Sequence, residues 1–412
     1  MATTSACHTP ASVEEARGRP LADVVLETIW HHRRISRADL ARTLGISRSR
    51  VSDIVGDLLE TGLVEEGGAG PSRGGRRAIL LAFRDDAHVI LGVDMGATHV
   101  AVGLTDLRGR ILVWHDRDHP VREDPAGTRA LITELCDRSL KDWGGPRDRL
   151  IGIGIAVPSP VDPRFPDRLS SVVLPAWEGE SGFGPLRERY GVPIFVDNDA
   201  NLGAVAERWW GAGRGVEHFT YIKLATGIGA GLMIGGDVYR GATQVAGEIG
   251  HVSIDPHGEP CVCGNRGCLV TFVGGEALVA RTRALLEKHP ESRLAAEEGL
   301  TLGAIERAAQ AGDPLAVQVV GWAAQHLGVA LAGLLNLMNP GAVILGGGLT
   351  RAGDHLLVPL REAVLRRTLV NSVAALEIRM SELGPRSTGL GAATLVLASA
   401  LADPRLFTAS GA

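Results

Sequence analysis

The pattern of hydrophobic and polar positions divides the chain into two parts. Up to about residue 84, apolar residues recur every three or four positions in short runs, as they do along one face of a helix. Further along, continuous apolar runs alternate with helical patterns, which is typical of α/β domains with buried strands. The chain has 412 residues, more than one core ordinarily organises, so two or three domains are expected.

The first part has the pattern of a DNA-binding module. Helical spacing predicts helices over Leu21–His31 and Ala38–Leu44, and a longer helix that begins after the N-cap residue Ser47. A glycine breaks the chain between the last two helices, as the turn of a helix-turn-helix requires. Strand patterns then flank a tip rich in glycine and arginine, which predicts a wing. A winged helix-turn-helix is therefore expected over residues 20–84, after a flexible tail over residues 1–19.

Serines and arginines of this module are the candidate DNA contacts. They are Ser47, Arg48, Ser49, Arg50 and Ser52 at the start of the recognition helix, and Arg73, Arg76 and Arg77 at the wing tip. Arginine at the start of such a helix can pair with guanine in the major groove, while wing arginines suit the minor groove or phosphates. The alternative is an ordinary helical domain whose arginines form a solvated face.

Composition restricts the class of protein. A formal net charge of −5 argues against a protein that coats nucleic acid without sequence preference. No apolar run approaches the length of a membrane span, and the first residues lack the apolar region of a secretory signal. Cys7 and Cys136 lie far apart and indicate no disulfide framework. A cytoplasmic protein without a membrane partner is expected.

Four residues with metal-binding side chains fall close together in the segment HVSIDPHGEPCVCGNRGC. They are His251, Cys261, Cys263 and Cys268. Thiolate and imidazole ligands at this spacing suit tetrahedral Zn²⁺, and with four protein ligands the site would be structural rather than catalytic. The alternative is that the three cysteines are simply buried or form disulfide bonds.

Polar residues follow a predicted strand in the middle of the chain. The strand Val192–Val196 runs into Asn198 and Asp199, at the edge of an α/β sheet where substrates are held. Asp199 is the best general-base candidate, because its carboxylate could take a proton from a sugar hydroxyl. The alternative is an ordinary helix cap. Further along, Glu248 can accept hydrogen bonds from hydroxyls, and His251 can bind zinc through one ring nitrogen while the other faces a ligand.

Glycine-rich turns mark three candidate sites for a nucleotide. The residues are Asp94, Gly96 and Thr98, then Gly227 and Gly229, and near the C-terminus Gly346 and Gly347. Glycines allow backbone amides to approach a phosphate, and an aspartate can hold the water shell of Mg²⁺. Each turn could equally be a plain hairpin or a strand-to-helix turn.

Taken together, these segments resemble the ROK family of repressors, open reading frames and sugar kinases, in its regulator form with an N-terminal winged helix. The resemblance extends from about Leu21 to Leu401, and is carried by DMGATHV, VDNDANLGAVAE, LATGIGAGLMIGG, GEIGHVSIDPHGEPCVCGNRGCL and NPGAVILGGG. It implies an α/β fold with two actin-like, ribonuclease-H-like lobes behind the winged helix-turn-helix. The smaller lobe would comprise residues 87–198 with 388–403, and the larger, which holds the zinc loop, residues 199–387.

The resemblance also implies roles for single residues. Asn198, Asp199, Glu248 and His251 fall on sugar-contacting positions, and Asp199 falls on the catalytic base of the kinases. His251 and the three cysteines fall on the zinc positions. Structural Zn²⁺ is the implied cofactor, and ATP with Mg²⁺ is implied only if kinase activity is retained.

The chain departs from the kinase form at several positions. Val270 stands where the kinases have a sugar-contacting glutamate, Ala97 and His99 alter the first phosphate motif, and Ala225 replaces a glycine of the second. A methyl group at a glycine position restricts approach of the backbone to phosphate. Loss of a carboxylate removes a charge-assisted hydrogen bond to the sugar. These changes weaken the case for ATP turnover, although Asp199 is kept.

We therefore expect a sequence-specific transcriptional regulator, a repressor of genes for carbohydrate uptake or catabolism. A sugar or sugar derivative in the cleft would close the lobes and act on the DNA-binding heads through the zinc loop. Operator DNA with an inverted repeat is the expected partner, which requires a homodimer or homotetramer. Two alternatives stay open: an ATP-dependent sugar kinase that carries a DNA-binding head, and a regulator that has lost its ligand and responds to a protein partner.

Overall fold

The computed structural model describes residues 20–69, 77–162, 164–297, 299–369 and 377–407. The expected N-terminal tail and two candidate DNA contacts of the wing tip, Arg73 and Arg76, lie outside these residues. Within them the chain forms an N-terminal head and two lobes, and each of the three is built on one sheet.

The head combines three helices with a small antiparallel sheet of order β1-β3-β2. Its elements are α1 (Leu21–His32), β1 (Arg34–Ser36), α2 (Arg37–Leu44), α3 (Arg48–Glu60), β2 (Val64–Ala69) and β3 (Ile79–Phe83). The hydroxyl oxygens of Ser36 and Ser47 accept hydrogen bonds from the backbone N–H groups of Asp39 and Arg50 and so cap α2 and α3. Gly45 ends α2 with a φ of +66°, which glycine adopts without strain. This is the predicted winged helix-turn-helix.

The first lobe is built on a five-stranded sheet of order β6-β5-β4-β7-β8. Its elements are β4 (Val89–Met95), β5 (His99–Asp106), β6 (Ile111–Asp118), α4 (Pro125–Trp143), β7 (Leu150–Val157), α5 (Gly184–Tyr190) and β8 (Ile194–Asn198). The strands β4 to β6 form an antiparallel meander, and β7 and β8 run parallel to β4. The helix α6 (Asp199–Trp210) follows β8 directly.

The second lobe repeats this topology in a sheet of order β11-β10-β9-β12-β13. Its elements are β9 (Phe219–Leu224), β10 (Ile228–Ile234), β11 (Asp237–Val238), α7 (Val270–Val273), α8 (Gly275–Leu285), α9 (Leu302–Gln310), α10 (Pro314–Met338), β12 (Ala342–Gly346), α11 (Asp354–Leu365) and β13 (Glu377–Met380). Again three strands form a meander and two run parallel to its first strand. The final helix, α12 (Ser387–Ala402), returns to the first sheet. The expected two-lobed α/β fold is confirmed.

The helix α12 packs against its neighbours backbone to backbone. A Cβ atom at Gly92 of β4 would overlap the carbonyl oxygen of Gly389, and one at Gly391 would overlap the carbonyl oxygen of Leu202 on α6. Glycine is therefore required at these contacts. They hold the first sheet, α12 and α6 together without intervening side chains.

The head shares a hydrophobic core with α12. Val25, Leu26 and Val55 of the head belong to one continuous buried cluster with Val396 and Leu397 of α12. We call this cluster the head–α12 core. Because the cluster is continuous, burial of apolar surface fixes the head to the first lobe.

Contrary to the expectation that no apolar run approaches the length of a membrane span, one helix among the described residues, α10, is long and apolar enough to cross a membrane by length and composition. Of its most apolar window, 61% is buried inside the protein. Leu327 and Leu331 of this helix are fully buried in the core of the second lobe. The apolar surface of α10 is thus used in packing that lobe.

Candidate functional site

A cleft of about 820 Å³ lies between the two lobes, within the size range of small-molecule sites. Predicted site residues that line it are Gly96, Asn198, Asp199, Gly227, Gly229, Glu248, His251 and Cys261. Lys223 and Val270 line it as well. Thr98 lines a smaller adjoining cavity, which shares Ala97 and Arg122 with the cleft. Residues that are distant in sequence are therefore brought to one place.

Asn198 ends β8 and caps α6. Its Oδ1 accepts hydrogen bonds from the backbone N–H groups of Ala200 and Asn201, at 2.9 and 3.2 Å. Its Nδ2 donates to the carbonyl oxygen of Ser159 at 3.2 Å. The side-chain oxygen of Asn198 therefore acts as a helix cap, which is the alternative interpretation of this residue. The group that remains for contact with a ligand is the second N–H of Nδ2.

Sequence reasoning missed Lys223, which lies near the end of β9. Its Nζ is 2.8 Å from Oδ2 of Asp199 and 3.7 Å from Oδ1 of Asp94. Burial lowers the pKa of this ammonium, but the carboxylates of Asp199 and Asp94 outweigh burial and hold the pKa above the usual value for lysine. The available signal was a lysine inside the otherwise apolar run Tyr221–Leu224, since lysine is rarely buried without a partner.

Asp94 is buried at the end of β4, between Lys223 and His99. Its Oδ2 lies 3.7 Å from Nε2 of His99. Burial raises the pKa of Asp94, but Lys223 and His99 outweigh burial and hold it below the usual range. Burial lowers the pKa of His99, and Asp94 in turn raises it above the usual value. The ring of His99 also covers Gly96, where a Cβ atom would overlap the ring. Two predicted nucleotide-binding residues are thus engaged by neighbouring side chains.

Glu248 faces the same cleft, just before the single helical turn Ile249–His251. Burial raises the pKa of Glu248 to about 7, and the negative charge of Asp199 contributes to the increase. A carboxyl group with such a pKa can donate or accept a hydrogen bond near neutral pH. Both kinds of contact suit a ligand that is rich in hydroxyl groups.

The four predicted metal ligands come together in a Cys₃His cluster. One donor atom of each of His251, Cys261, Cys263 and Cys268 lies within 4.8 Å of all the others. Sγ of Cys261 is 3.5 Å from Nδ1 of His251, and Sγ of Cys263 is 3.6 Å from Sγ of Cys268. Metal–sulfur bonds of about 2.3 Å in a tetrahedron place ligand atoms about 3.8 Å apart. The spacing and the donor set therefore fit Zn²⁺, and the three thiols are free rather than joined in a disulfide.

His251 belongs to both the cluster and the cleft. Its Nδ1 faces Cys261, and the residue lines the cleft. Burial lowers the pKa of His251, which favours the neutral imidazole that binds metals. With Nδ1 on a metal, Nε2 is available to a ligand in the cleft.

The glycines of the turn near the C-terminus allow close packing against neighbouring residues. A Cβ atom at Gly346 would overlap the hydroxyl group of Tyr221, and one at Gly347, whose φ is +89°, would overlap the backbone of Leu224. Neither glycine belongs to the described lining of the cleft. Gly227 differs, because a Cβ atom there would meet nothing that the structure describes within 4 Å. Of the three glycine turns, the structure brings the first two to the cleft.

The head presents the described DNA-contact candidates on its surface. Ser47, Arg48, Ser49, Arg50, Ser52 and Arg77 are all exposed. On the opposite side of α3, Val51, Ile54 and Val55 are buried in the head. The N-terminal turn of α3 therefore points its polar side chains away from the core, as a recognition helix requires.

The helix α6 connects the cleft to the head. It begins at Asp199, in the lining of the cleft, and ends at Trp209 and Trp210, which pack against Trp30 of α1. Nε1 of Trp210 also donates a hydrogen bond of 2.8 Å to the hydroxyl oxygen of Thr394 on α12. At 12 residues, α6 is about 18 Å long. One helix thus contacts both the cleft and the head.

Comparison with known proteins gives matches over nearly the whole chain. Residues 90–399 match the model of the ROK family, and residues 24–78 match that of the MarR family. The xylose repressor of Bacillus subtilis (strain 168) is 32% identical over 91% of this chain and 94% of its own length. The xylose repressor of Caldicellulosiruptor bescii is 30% identical over 92% of this chain and 96% of its own.

Solved structures agree with these matches. A ROK family transcriptional regulator, described as a homologue of the Escherichia coli MLC protein, has a TM-score of 0.79 at 27% identity and covers 95% of this chain and 98% of its own. A ROK family glucokinase from Streptomyces griseus, in complex with glucose and AMPPNP, has a TM-score of 0.68 at 31% identity and covers 74% and 98%. The regulator spans more of the chain than the glucokinase does.

Proposed function

The chain belongs to the ROK family, and we propose that it is a sugar-responsive transcriptional repressor of genes for carbohydrate uptake or catabolism. The winged helix-turn-helix binds operator DNA, and a sugar or sugar derivative in the cleft changes that binding. The observation that carries the proposal is the course of α6, which runs from Asp199 in the cleft to the tryptophans against the head. The similarity to xylose repressors over 91% and 92% of the chain supports it.

In this proposal the head, residues 20–84, reads the operator through Arg48 and Arg50, while Arg77 and the neighbouring wing arginines contact the minor groove or phosphates. One winged helix reads too few base pairs for specificity in a genome. A homodimer or homotetramer on an inverted repeat supplies the second head, and the protein acts in the cytoplasm, where its operator is.

The sugar binds between the smaller lobe, residues 87–198 with 388–403, and the larger lobe, residues 199–387. The second N–H of Asn198 Nδ2, the carboxyl groups of Asp199 and Glu248, and Nε2 of His251 are the groups that contact it. Xylose is the first candidate because two similar proteins are xylose repressors. Val270 lines the cleft with an apolar side chain, which suits a sugar that presents few hydroxyl groups there.

Zn²⁺ in the Cys₃His cluster is the proposed structural cofactor. It cross-links the zinc loop and fixes the ring of His251 with Nε2 toward the cleft. The sugar acts on DNA binding only if it binds the DNA-competent and DNA-incompetent states with different affinity. Closure of the lobes over the sugar would provide that difference, by shifting the N-terminal end of α6 together with the zinc loop.

The test is selection of fragmented genomic DNA by the purified protein, followed by sequencing of the retained fragments. We expect a few enriched sites that share an inverted repeat. The variant Arg48→Ala/Arg50→Ala should not enrich these sites. Binding to the strongest site is then titrated with xylose, glucose and N-acetylglucosamine, and one of them should change the affinity. No enrichment over the double variant would contradict the proposal.

A further inference from the structure

Lys223 lines the cleft and joins the two lobes through ion pairs. It comes from β9 of the second lobe, whereas Asp94 lies on β4 of the first lobe and Asp199 opens α6. The distances of 2.8 Å to Asp199 and 3.7 Å to Asp94 place one ammonium group between two carboxylates. Oδ1 of Asp94 has no hydrogen-bond partner among the described residues and is buried, so its nearest compensating charge is Lys223.

Carboxylates in these positions would hold a divalent cation in a phosphoryl-transfer enzyme, where the metal ion neutralises the phosphates. A similar glucokinase was solved in complex with AMPPNP, and phosphoryl transfer from such a nucleotide uses Mg²⁺. In this chain a cation of the protein itself occupies the space between the carboxylates. A metal ion there would face an ammonium group at close range in a buried environment, where charge repulsion is poorly screened.

Two of the three glycine turns, the first and the C-terminal one, are in close contact with other parts of the chain, whereas the second, at Gly227, stays open to the cleft. The ring of His99 covers Gly96 in the first turn. The C-terminal turn packs closely against the chain itself, with Tyr221 against Gly346 and Leu224 against Gly347, and neither glycine belongs to the described lining of the cleft. The residues present therefore do not fit a magnesium nucleotide, although the cleft itself is open.

We infer that Lys223 is a built-in cation that takes the place of Mg²⁺ and makes the cleft a site for an uncharged sugar, bound without nucleotide. The inference rests on the proposed function, because it concerns the same cleft. Lys223 is a positioning residue: it donates to one oxygen of Asp199 and leaves the other to accept a hydrogen bond from a sugar hydroxyl. The ammonium group of Lys223 holds one oxygen of Asp199 in a charge-assisted hydrogen bond at 2.8 Å, and this contact competes with the use of the carboxylate as a general base.

Titration of the zinc-loaded protein with Mn²⁺ alone tests the inference, with calorimetry as the readout. The variant Lys223→Met frees both carboxylates, so it should bind one Mn²⁺ at least about tenfold more tightly than the wild type. The double variant Lys223→Met/Asp199→Asn should lose that gain. Lys288→Met, which changes an exposed lysine of the second lobe, is the matched control and should behave like the wild type. Equal Mn²⁺ affinity of the wild type and Lys223→Met would overturn the inference.

A second measurement needs only the wild type, in case Lys223→Met does not fold. Titration with Mg²⁺–AMPPNP at millimolar concentration should give no saturable binding, and saturable binding would overturn the inference. Neither measurement uses DNA or a sugar. A failure here would leave the repressor proposal standing, and a failed operator selection would leave the role of Lys223 standing.

Discussion

Trp30 and Trp209 face each other across the boundary between the head and the lobes, with ring centroids 5.3 Å apart and ring planes inclined at 58°. Trp209 belongs to α6, whose other end lies in the cleft, and Trp30 belongs to α1 of the head. Packed interiors transmit strain rather than absorb it. A displacement of α6 by a bound sugar is therefore expected to reach the head at Trp30.

The variant Trp209→Ala should uncouple the two sites. Sugar affinity should stay unchanged because the cleft is untouched, whereas the factor by which the sugar changes operator affinity should fall toward one from the roughly 5–150-fold of typical allosteric coupling. Operator titrations with and without the sugar measure this factor. Trp143→Ala, which removes another half-buried tryptophan at the end of α4, should preserve it. If the sugar changed the operator affinity of Trp209→Ala by the same factor as that of the wild type, coupling through Trp209 would be excluded.

The variant Arg50→Ala should weaken binding to the specific operator by about 1–3 kcal/mol, because a base contact is lost. Fluorescence anisotropy with the operator and with a scrambled sequence measures the change and its specificity. Arg138→Ala removes an exposed arginine of α4 and serves as the control. Unchanged affinity of Arg50→Ala would remove this residue from the recognition surface.

The variant Cys263→Ser should release the metal of the Cys₃His cluster, because a hydroxyl group is a poor replacement for a thiolate ligand. Zinc measured by plasma mass spectrometry should fall from one ion per chain to nearly none, with a lower melting temperature. Cys136→Ser changes a buried cysteine outside the cluster and should keep the zinc. One zinc ion and an unchanged melting temperature in Cys263→Ser would refute the assignment.

The ion pair of His99 and Asp94 predicts a pH dependence of stability. The charged groups around His99 are Asp94 on β4, Lys223 on β9 and Asp116 on β6. Because the pKa of His99 is raised in the folded protein, its contribution is fully present below the ordinary pKa of 6.5 and is lost as the pH rises through the folded-state value. The wild type should therefore exceed His99→Asn in melting temperature by more in mildly acidic than in alkaline buffer.

Melting curves of both proteins across neutral pH check this dependence. The control is His355→Asn, which changes an exposed histidine of α11. The difference in melting temperature between the wild type and this variant should not be larger in mildly acidic buffer than in alkaline buffer. A difference between the wild type and His99→Asn that grows as the pH rises would contradict the pairing.

The variant Gly391→Ala should destabilise the protein by about 1–3 kcal/mol, because its methyl group would overlap the carbonyl oxygen of Leu202 and force α12 away from α6. Denaturant unfolding measures the loss. Gly333→Ala is the matched control: it lies on an exposed face of α10 and meets nothing described within 4 Å. That change should stabilise the protein by about 0.5–1 kcal/mol, because alanine favours the helix. Equal effects of the two changes would contradict the close contact.

Sequence patterns predict the features that depend on neighbours along the chain. The cap at Ser47 and the cysteines of the metal cluster are of this kind, since their partners lie a few residues away. The lysine in the apolar run at Lys223 was visible in the sequence, but its partner Asp94 could not be predicted, because that residue is on another lobe and only the fold brings it close. For the same reason, the turn at Gly346 resembles a nucleotide-binding turn in the sequence. Only the fold shows that glycine is needed there because Tyr221 packs against it.

The head–α12 core has a consequence for how this protein can be taken apart. More than three hundred residues separate the helices of the head, the last of which ends at Glu60, from α12, which begins at Ser387, yet Leu26 and Leu397 lie in the same buried cluster. The head is therefore not an independent domain that can be separated from the rest of the chain. A fragment that ends after the wing would expose apolar surface that α12 normally covers, and a chimera that exchanges heads between relatives would need the matching C-terminal helix to travel with it.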